Sequence, residues 1–340
     1  MSAKFIYSKS KAVEKYEDLK QVSDIVTYSS KTNPVVTKIL ENNTQSMFSV
    51  HLEEELKNIK DKSRIIFLAQ AWDEELIRTL VNQDIKWFIV DNLKDLDVLK
   101  KFLENYNDKI KLSLRMKLKE NTVKTEKYYV FGMKSAVINK QVKELSKHPN
   151  IEEIGVHFHR KTQNITEWNY KDILEDSLDV FNEISHVNIG GGMPSTYANT
   201  NEKVFKSIFK KLKELKKWLN KKEIKMITEP GRYIAAPSAT LQAKITLIYN
   251  NTIILDTSVY QSDMDALIVP VKLKVKEEVT KQKGKAYHVK GRTPCSMDLF
   301  RYKVYLENPK KGDFLHFENA GAYNFHTAFC SMETLDTELQ

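Results

Sequence analysis

Six short segments hold the residues able to do chemistry. Ile25-Val-Thr-Tyr-Ser-Ser-Lys31-Thr-Asn-Pro34 places a lysine at the end of a β-branched run and just before a turn. An ammonium kept from bulk water loses affinity for its proton and can serve as a Schiff-base amine; a solvated turn lysine is the plainer alternative. In Val187-Asn-Ile-Gly190-Gly191-Gly192-Met-Pro194, successive glycines let backbone N–H groups converge on an anion such as phosphate, with a flexible turn as the alternative. Ile227-Thr-Glu229-Pro230-Gly231-Arg232 sets a carboxylate and a guanidinium close together at a forced turn. That carboxylate is either half of a surface ion pair or the partner that keeps a heterocyclic nitrogen protonated. Gly155-Val-His157-Phe-His159 alternates, so on a strand both histidines face one side. They suit a metal or, for His159, an aromatic wall against a planar cofactor, but no carboxylate or third histidine stands at metal-ligand spacing. Gly291-Arg292-Thr-Pro-Cys295-Ser296-Met-Asp298 and Glu318-Asn-Ala-Gly321-Ala-Tyr323 each put a polar group after a turn.

Something must bring these segments together. The first two-thirds of the chain alternate short apolar runs with longer amphipathic ones. Strands are expected at 24–30, 46–50, 64–68, 86–90, 111–116, 153–159, 186–189 and 225–228. Helices are expected at 34–41, 53–60, 73–81, 93–105, 135–147, 172–184 and 202–220. Eight strands alternating with helices is the count of a (β/α)8 TIM barrel, whose active sites form at the C-terminal strand ends; an open doubly wound sheet is the rival. After Glu229 the texture changes. Strands at 240–249, 252–255, 266–275, 285–290, 302–306 and 313–317, with little helix between, read as a C-terminal all-β domain. The division expected is 9–234 for the barrel and 235–340 for the β domain, with an N-terminal strand near residues 4–8 lent to the latter.

Composition excludes several classes. Of 340 residues, 41% are hydrophobic and 29% charged, which fits neither a disordered chain nor a membrane protein. No apolar run is long enough to span a bilayer, and the N-terminal residues lack a secretory pattern, so a cytoplasmic location is expected. Two cysteines, Cys295 and Cys330, cannot build a disulfide framework or a four-cysteine zinc site. The net charge of +9 comes from lysines interleaved with acids and without a nucleic-acid motif, so an anionic small substrate is its better use. Glycine occurs only 10 times, well below the usual ~7%, so three in a row need a backbone reason.

In their chain order, the six segments resemble the fold type III pyridoxal-phosphate decarboxylases, the family of ornithine, diaminopimelate and eukaryotic-type arginine decarboxylases. Seven of the ten glycines fall inside them. The resemblance implies an alanine-racemase-like barrel with a β domain, pyridoxal 5'-phosphate as cofactor, and a head-to-tail homodimer with shared active sites. It makes Lys31 the cofactor's Schiff-base lysine and has His159 stack on its ring. It gives the phosphate to Gly190, Gly191, Gly192, Gly231, Arg232, Tyr323 and Thr162, the last replacing a family serine. Glu229 would hold the pyridine nitrogen protonated, where the related racemases place an arginine. Cys295 would reach the neighbouring subunit's site and protonate the carbanion after carbon dioxide leaves. A catalytically silent partner-binding homologue is the competing class, though such proteins usually lose the lysine or the cysteine.

Departures from the family pattern bear on the substrate. Where the family favours Phe-Asp-Cys-Ala-Ser, this chain has Phe48-Ser49-Val50-His51-Leu52. Ser296 stands where ornithine decarboxylases carry an aspartate for the distal amine, and a second family aspartate falls near Val269-Pro270. The final Phe-Asn-Gly becomes Phe329-Cys330-Ser331. Asp298, in a loop one residue shorter than usual, is the remaining carboxylate able to replace them. An unpaired buried ammonium costs several kcal/mol. With Arg292, Arg160 and Lys161 beside matched motifs, the chain suits a basic amino acid acylated on its side chain. A citryl-ornithine-like conjugate, of the kind used in carboxylate siderophore pathways, would satisfy this. Ornithine, diaminopimelate or another polyamine-pathway amino acid is the alternative. The residues facing the substrate would be Arg292, Ser296, Asp298 and Phe329.

Overall fold

A computed structural model describes residues 2–118, 131–269 and 271–340. The chain divides into two compact units. Strand β1 (Lys4–Tyr7) belongs to the second unit and is taken up with it.

The first unit covers Tyr16–Pro194 and Lys203–Gly231. Its strands are β2 (Ile25–Ser29), β3 (Met47–Val50), β4 (Ile65–Ala69), β5 (Trp87–Val90), β6 (Ile110–Arg115), β7 (Ile151–His157), β8 (His186–Asn188) and β9 (Lys225–Thr228). All pair in parallel, each with the next, and β9 returns to β2 through Ile25–Ile227 and Val26–Thr228, closing the barrel. The open-sheet rival is thereby excluded. Because side chains alternate along a strand, one set of positions fills the interior. Ile25, Met47, Ile66, Leu68, Trp87, Ile89 and Ile227 pack there as one apolar cluster. Beside it His186 donates to or accepts from Ser113 Oγ at 2.7 Å and meets the Trp87 ring edge-on at 5.1 Å. Two residues further along β6, β7, β8 and β9 the same face carries Arg115, His157, Asn188 and Glu229. The first three are register neighbours. The barrel therefore changes from apolar to ionic within one strand step of its C-terminal end.

The second unit comprises the chain through Lys15, Ser195–Glu202 and Arg232–Gln340. It is built on β10 (Ala239–Tyr249), β11 (Thr252–Leu255), β12 (Lys274–Val275), β13 (Lys285–Lys290), β14 (Leu299–Leu306), β15 (Phe314–Glu318) and β16 (Asp336–Leu339). The sheet order is β12-β15-β10-β11-β13-β14, and β1 pairs antiparallel with β10 and in parallel with β16. Leu241, Ala243, Ile245, Ile253, Leu255, Val289, Val304 and Phe317 are buried beneath it.

Four expected elements differ. Residues 266–275 form no long strand: a helical turn, Asp265–Ile268, precedes the two-residue β12 because Asp265 is drawn inward onto Arg232; Pro270 lies outside the described residues. The segment expected as a helix at 53–60 is a 3-10 stretch, Glu53–Asn58, since Glu55 turns back to accept the His51 and Leu52 amides. The helix expected at 172–184 is Tyr170–Ser177; it stops where Asn139 donates to Ser177 O and accepts the Asp179 amide. The strand expected at 153–159 ends at His157, so His159 does not share its strand face.

Candidate active site at the barrel mouth

Lys31 lies in a 3-10 turn, Ser30–Thr32, directly after β2. Asn33 next to it caps the helix Pro34–Asn43, its Oδ1 accepting the Val35 amide at 2.9 Å, and Ser30 Oγ meets Thr37 Oγ1 at 3.1 Å. The backbone carrying the lysine is thus pinned from both sides. Gly231 belongs to the same joint. A Cβ there would lie 2.2 Å from Thr32 Oγ1, so only glycine lets the end of β9 pass this turn. The Lys31 side chain remains open to solvent, yet the barrel-end atoms around it lower its pKa from the ordinary range. Burial is the main cause and Arg115 adds to it, while Glu229 and Glu55 work the other way.

Glu229 is a buried acid of the mouth, 7% exposed. Asn188 Nδ2 donates to one carboxylate oxygen at 2.9 Å, and His157 Nε2 stands 3.3 Å from the other. Burial would raise its pKa, but His157, Asn188 and the nearby His51 bring it down to about 2. The carboxylate is therefore ionised throughout the physiological range.

The three glycines have backbone reasons. Gly190 and Gly192 adopt φ of +66° and +98°, where a side chain is strained, and a Cβ on Gly191 would lie 2.5 Å from Glu229 O. Two of their amides serve side chains: Gly190 N donates to Asn188 Oδ1 at 2.9 Å and Gly191 N to His159 Nδ1 at 3.3 Å. The loop thereby orients both Glu229's partner and the His159 ring. Burial holds His159 down to about 4, so it is a neutral aromatic surface at neutral pH. Thr162 is exposed in the loop that follows.

Arg160 and Lys161 are not spare cations. Arg160 is buried and its Nε donates to Glu167, which Lys161 also approaches at 3.6 Å.

Sequence reasoning missed Asn188, Arg115, His51 and Glu55, and left His157 between other roles. Arg115 Nη1 donates to Asp91 at 2.9 Å. His51, half-buried, is lowered to about 3, first by burial and then by Lys31. The signal was the strand period itself. Arg115, Asn188 and Glu229 each stand two places beyond an inward-facing residue.

In the β unit, Arg232 is buried and forked onto Asp265, with Nη2–Oδ1 at 2.8 Å, while Nη1 donates to Tyr197 Oη at 2.8 Å. Its guanidinium also lies 5.2 Å from the Tyr323 ring centroid, so this unit brings Arg232 and Tyr323 together. Cys295 Sγ is 3.0 Å from Tyr260 Oη, and the Tyr260 ring stacks on Phe329 at 4.2 Å. Arg292 and Ser296 are exposed. Asp298 does not fit the role expected of it: it is fully buried and its carboxylate accepts from Val259 N, Thr293 N and Thr293 Oγ1 at 2.7–3.0 Å. A carboxylate so enclosed is committed to holding loops.

Comparison with known proteins decides the family. Residues 9–236 match the family model described as "Pyridoxal-dependent decarboxylase, pyridoxal binding domain". The chain belongs to the pyridoxal-dependent decarboxylases. Among its curated relatives, a diaminopimelate decarboxylase from Aquifex aeolicus is 23% identical over 287 residues, 77% of this chain and 66% of that protein. A probable ornithine decarboxylase from Dictyostelium discoideum is 26% identical over 334 residues, 87% of this chain and 69% of the relative. The chain thus spans about two thirds of the length of each. The solved structure of a lysine/ornithine decarboxylase from Vibrio vulnificus, complexed with putrescine, is 20% identical. It superposes with a TM-score of 0.79 over 100% of this chain and 94% of that one.

The barrel mouth fits pyridoxal phosphate. An amine of lowered pKa, an ionised buried carboxylate and a neutral imidazole face are the donor set that its aldehyde, ring nitrogen and ring face require. Among the described residues, Thr32 Oγ1 and His157 Nδ1 are buried at this end without a hydrogen-bond partner, so polar atoms remain to be satisfied there.

Proposed function

We propose that the protein removes the α-carboxylate of an L-amino acid as carbon dioxide, using pyridoxal phosphate held at the barrel mouth. The observation that supports this most is the ionised Glu229, fixed by Asn188 and His157. When bound, the cofactor supplies an electron sink for the carbanion left as carbon dioxide departs. Lys31 would hold the cofactor through its amine, and the lowering of its pKa, chiefly by burial, favours the nucleophilic form. Glu229 holds the proton on the pyridine nitrogen. A racemase needs a weaker sink, and the carboxylate at this position speaks against one. His159 would offer its neutral ring face to the cofactor. On the barrel, Gly192, Gly231 and Thr162 would serve the phosphate beside Gly190 and Gly191, whose amides are given to Asn188 and His159, while Arg232 is forked onto Asp265 and bonded to Tyr197 within the β unit. Cys295 delivers the proton to the substrate carbon, acting in a homodimer with shared sites.

The substrate reading is a basic amino acid acylated on its side chain, citryl-ornithine-like, over free ornithine, lysine or diaminopimelate. Asp298 is enclosed and Ser296 is uncharged, so neither offers a counter-ion for a distal ammonium. Arg160 and Lys161 are spent on Glu167, which leaves the exposed Arg292 as the cation that favours a neutral or anionic far end. Carbon dioxide release should be measured for ornithine and N-citryl-ornithine side by side. A higher kcat/KM for the conjugate supports the reading. An equal or higher value for ornithine overturns it.

A further inference from the structure

Two turns of the β unit meet at one thiol. The loop Thr293–Asp298 carries Cys295, and a helical turn, Val259–Ser262, carries Tyr260. Asp298 ties them together: Oδ1 accepts Val259 N at 2.8 Å, while Oδ2 accepts Thr293 N at 3.0 Å and Thr293 Oγ1 at 2.7 Å. The loop closes on itself through Asp298 N to Cys295 O at 3.1 Å. From the other side, the Tyr260 carbonyl accepts Thr327 N at 2.9 Å and Thr327 Oγ1 at 3.1 Å, and Phe329 stacks on the phenol ring. Tyr260 is therefore fixed at its backbone and at its ring, with its hydroxyl 3.0 Å from Cys295 Sγ.

We propose that Tyr260 is a positioning residue for Cys295, its hydroxyl donating to the sulfur and so setting how readily the thiol releases its proton. The inference rests on the reading of Cys295 as the proton donor. In that step the S–H bond breaks as a C–H bond forms at the carbon that lost its carboxylate. The electron pair stays on sulfur as a thiolate, which the Tyr260 O–H stabilises. The contact holds the Cys295 thiol below its ordinary range, first through Tyr260 and then through the Met297 amide. It pushes Tyr260 up to about 12. Among the described residues, Asp298 and Cys330 also bear on the pair. This gives the enclosed Asp298 a purpose: it braces the turn of the donor and the turn of the thiol at once.

The test is the pH dependence of Cys295 alkylation by iodoacetamide, read by peptide mass in a Cys330→Ser background, with Tyr260 and with Tyr260→Phe. Only the thiolate reacts, so the midpoint reports the thiol. With Tyr260 present the midpoint should lie below the ordinary ~8.5. Tyr260→Phe, which keeps the ring and its stack, should raise it by about half a unit or more and slow alkylation at pH 7 about threefold. A midpoint at or above ~8.5 with Tyr260 present overturns the pairing without reference to any variant, and so does an unmoved midpoint in a folded Tyr260→Phe protein. Alkylation needs neither cofactor nor substrate. A shifted thiol in a protein that releases no carbon dioxide would support the pairing and overturn the decarboxylation reading separately.

Discussion

Replacing Glu229 with glutamine removes one charge and almost no volume. The barrel favours the ionised form of this carboxyl strongly enough to bring it from an ordinary 4.5 to about 2, which corresponds to about 3 kcal/mol. Glutamine keeps an oxygen for Asn188 Nδ2, but it presents an amide to His157 Nε2, which must then accept. The side chain's shape survives while the negative charge proposed to hold the ring-nitrogen proton is gone. Cofactor should remain bound and kcat for carbon dioxide release should fall about 10²-fold or more. Occupancy by absorbance and kcat by carbon dioxide evolution check both halves. A kcat within about threefold of the parent at equal occupancy refutes the reasoning. A second readout follows from linkage. Glu229's folded pKa is depressed, so its contribution to stability is present above about pH 4.5 and is lost as pH falls toward 2. Glu229→Gln should therefore lose less stability than the parent between pH 5 and 3.

His186, enclosed in the barrel beside Ser113, is held down to about 4 by burial. The unfolded chain takes up its proton first as pH falls through ~6.5, so stability is full above that value and declines toward pH 4; about 2–3 kcal/mol should be lost between pH 7 and 4.5. His51 and His159 act in the same sense. Urea denaturation of His186→Asn at both pH values isolates the share of His186, and an identical loss in parent and variant would refute it. Asp298→Ala should destabilise the protein by about 2–4 kcal/mol, because it orphans three buried donors. Unchanged thermal stability with a raised KM for a diamino acid would instead return Asp298 to the substrate.

Lys31, Glu229 and the glycine run were legible in the sequence because each stands at the end of a β-branched run, where a barrel concentrates its chemistry. The partners of Glu229 were harder to read. Asn188 and His157 are 41 and 72 residues from it in sequence, and only closure of the barrel makes β7, β8 and β9 neighbours. Seen from the sequence, Gly-Val-His-Phe-His invited a shared face for both histidines, but the strand stops at His157 and His159 turns into a loop held by Gly191. Asp298 misled for a related reason. A carboxylate after a cysteine reads as available until the fold shows three donors converging on it. Local pattern places a residue on an element, whereas burial and long-range partners decide whether its charge is free.

Lys31 is proposed to carry pyridoxal phosphate at the mouth of this barrel. Borohydride reduction of the cofactor-loaded protein, followed by peptide mass mapping, tests it in one measurement. The cofactor's mass should appear on the peptide containing Lys31 and should be missing from that peptide when the protein is not reduced. Cofactor fixed to a different lysine, or to none in a protein shown to be loaded, would contradict the account.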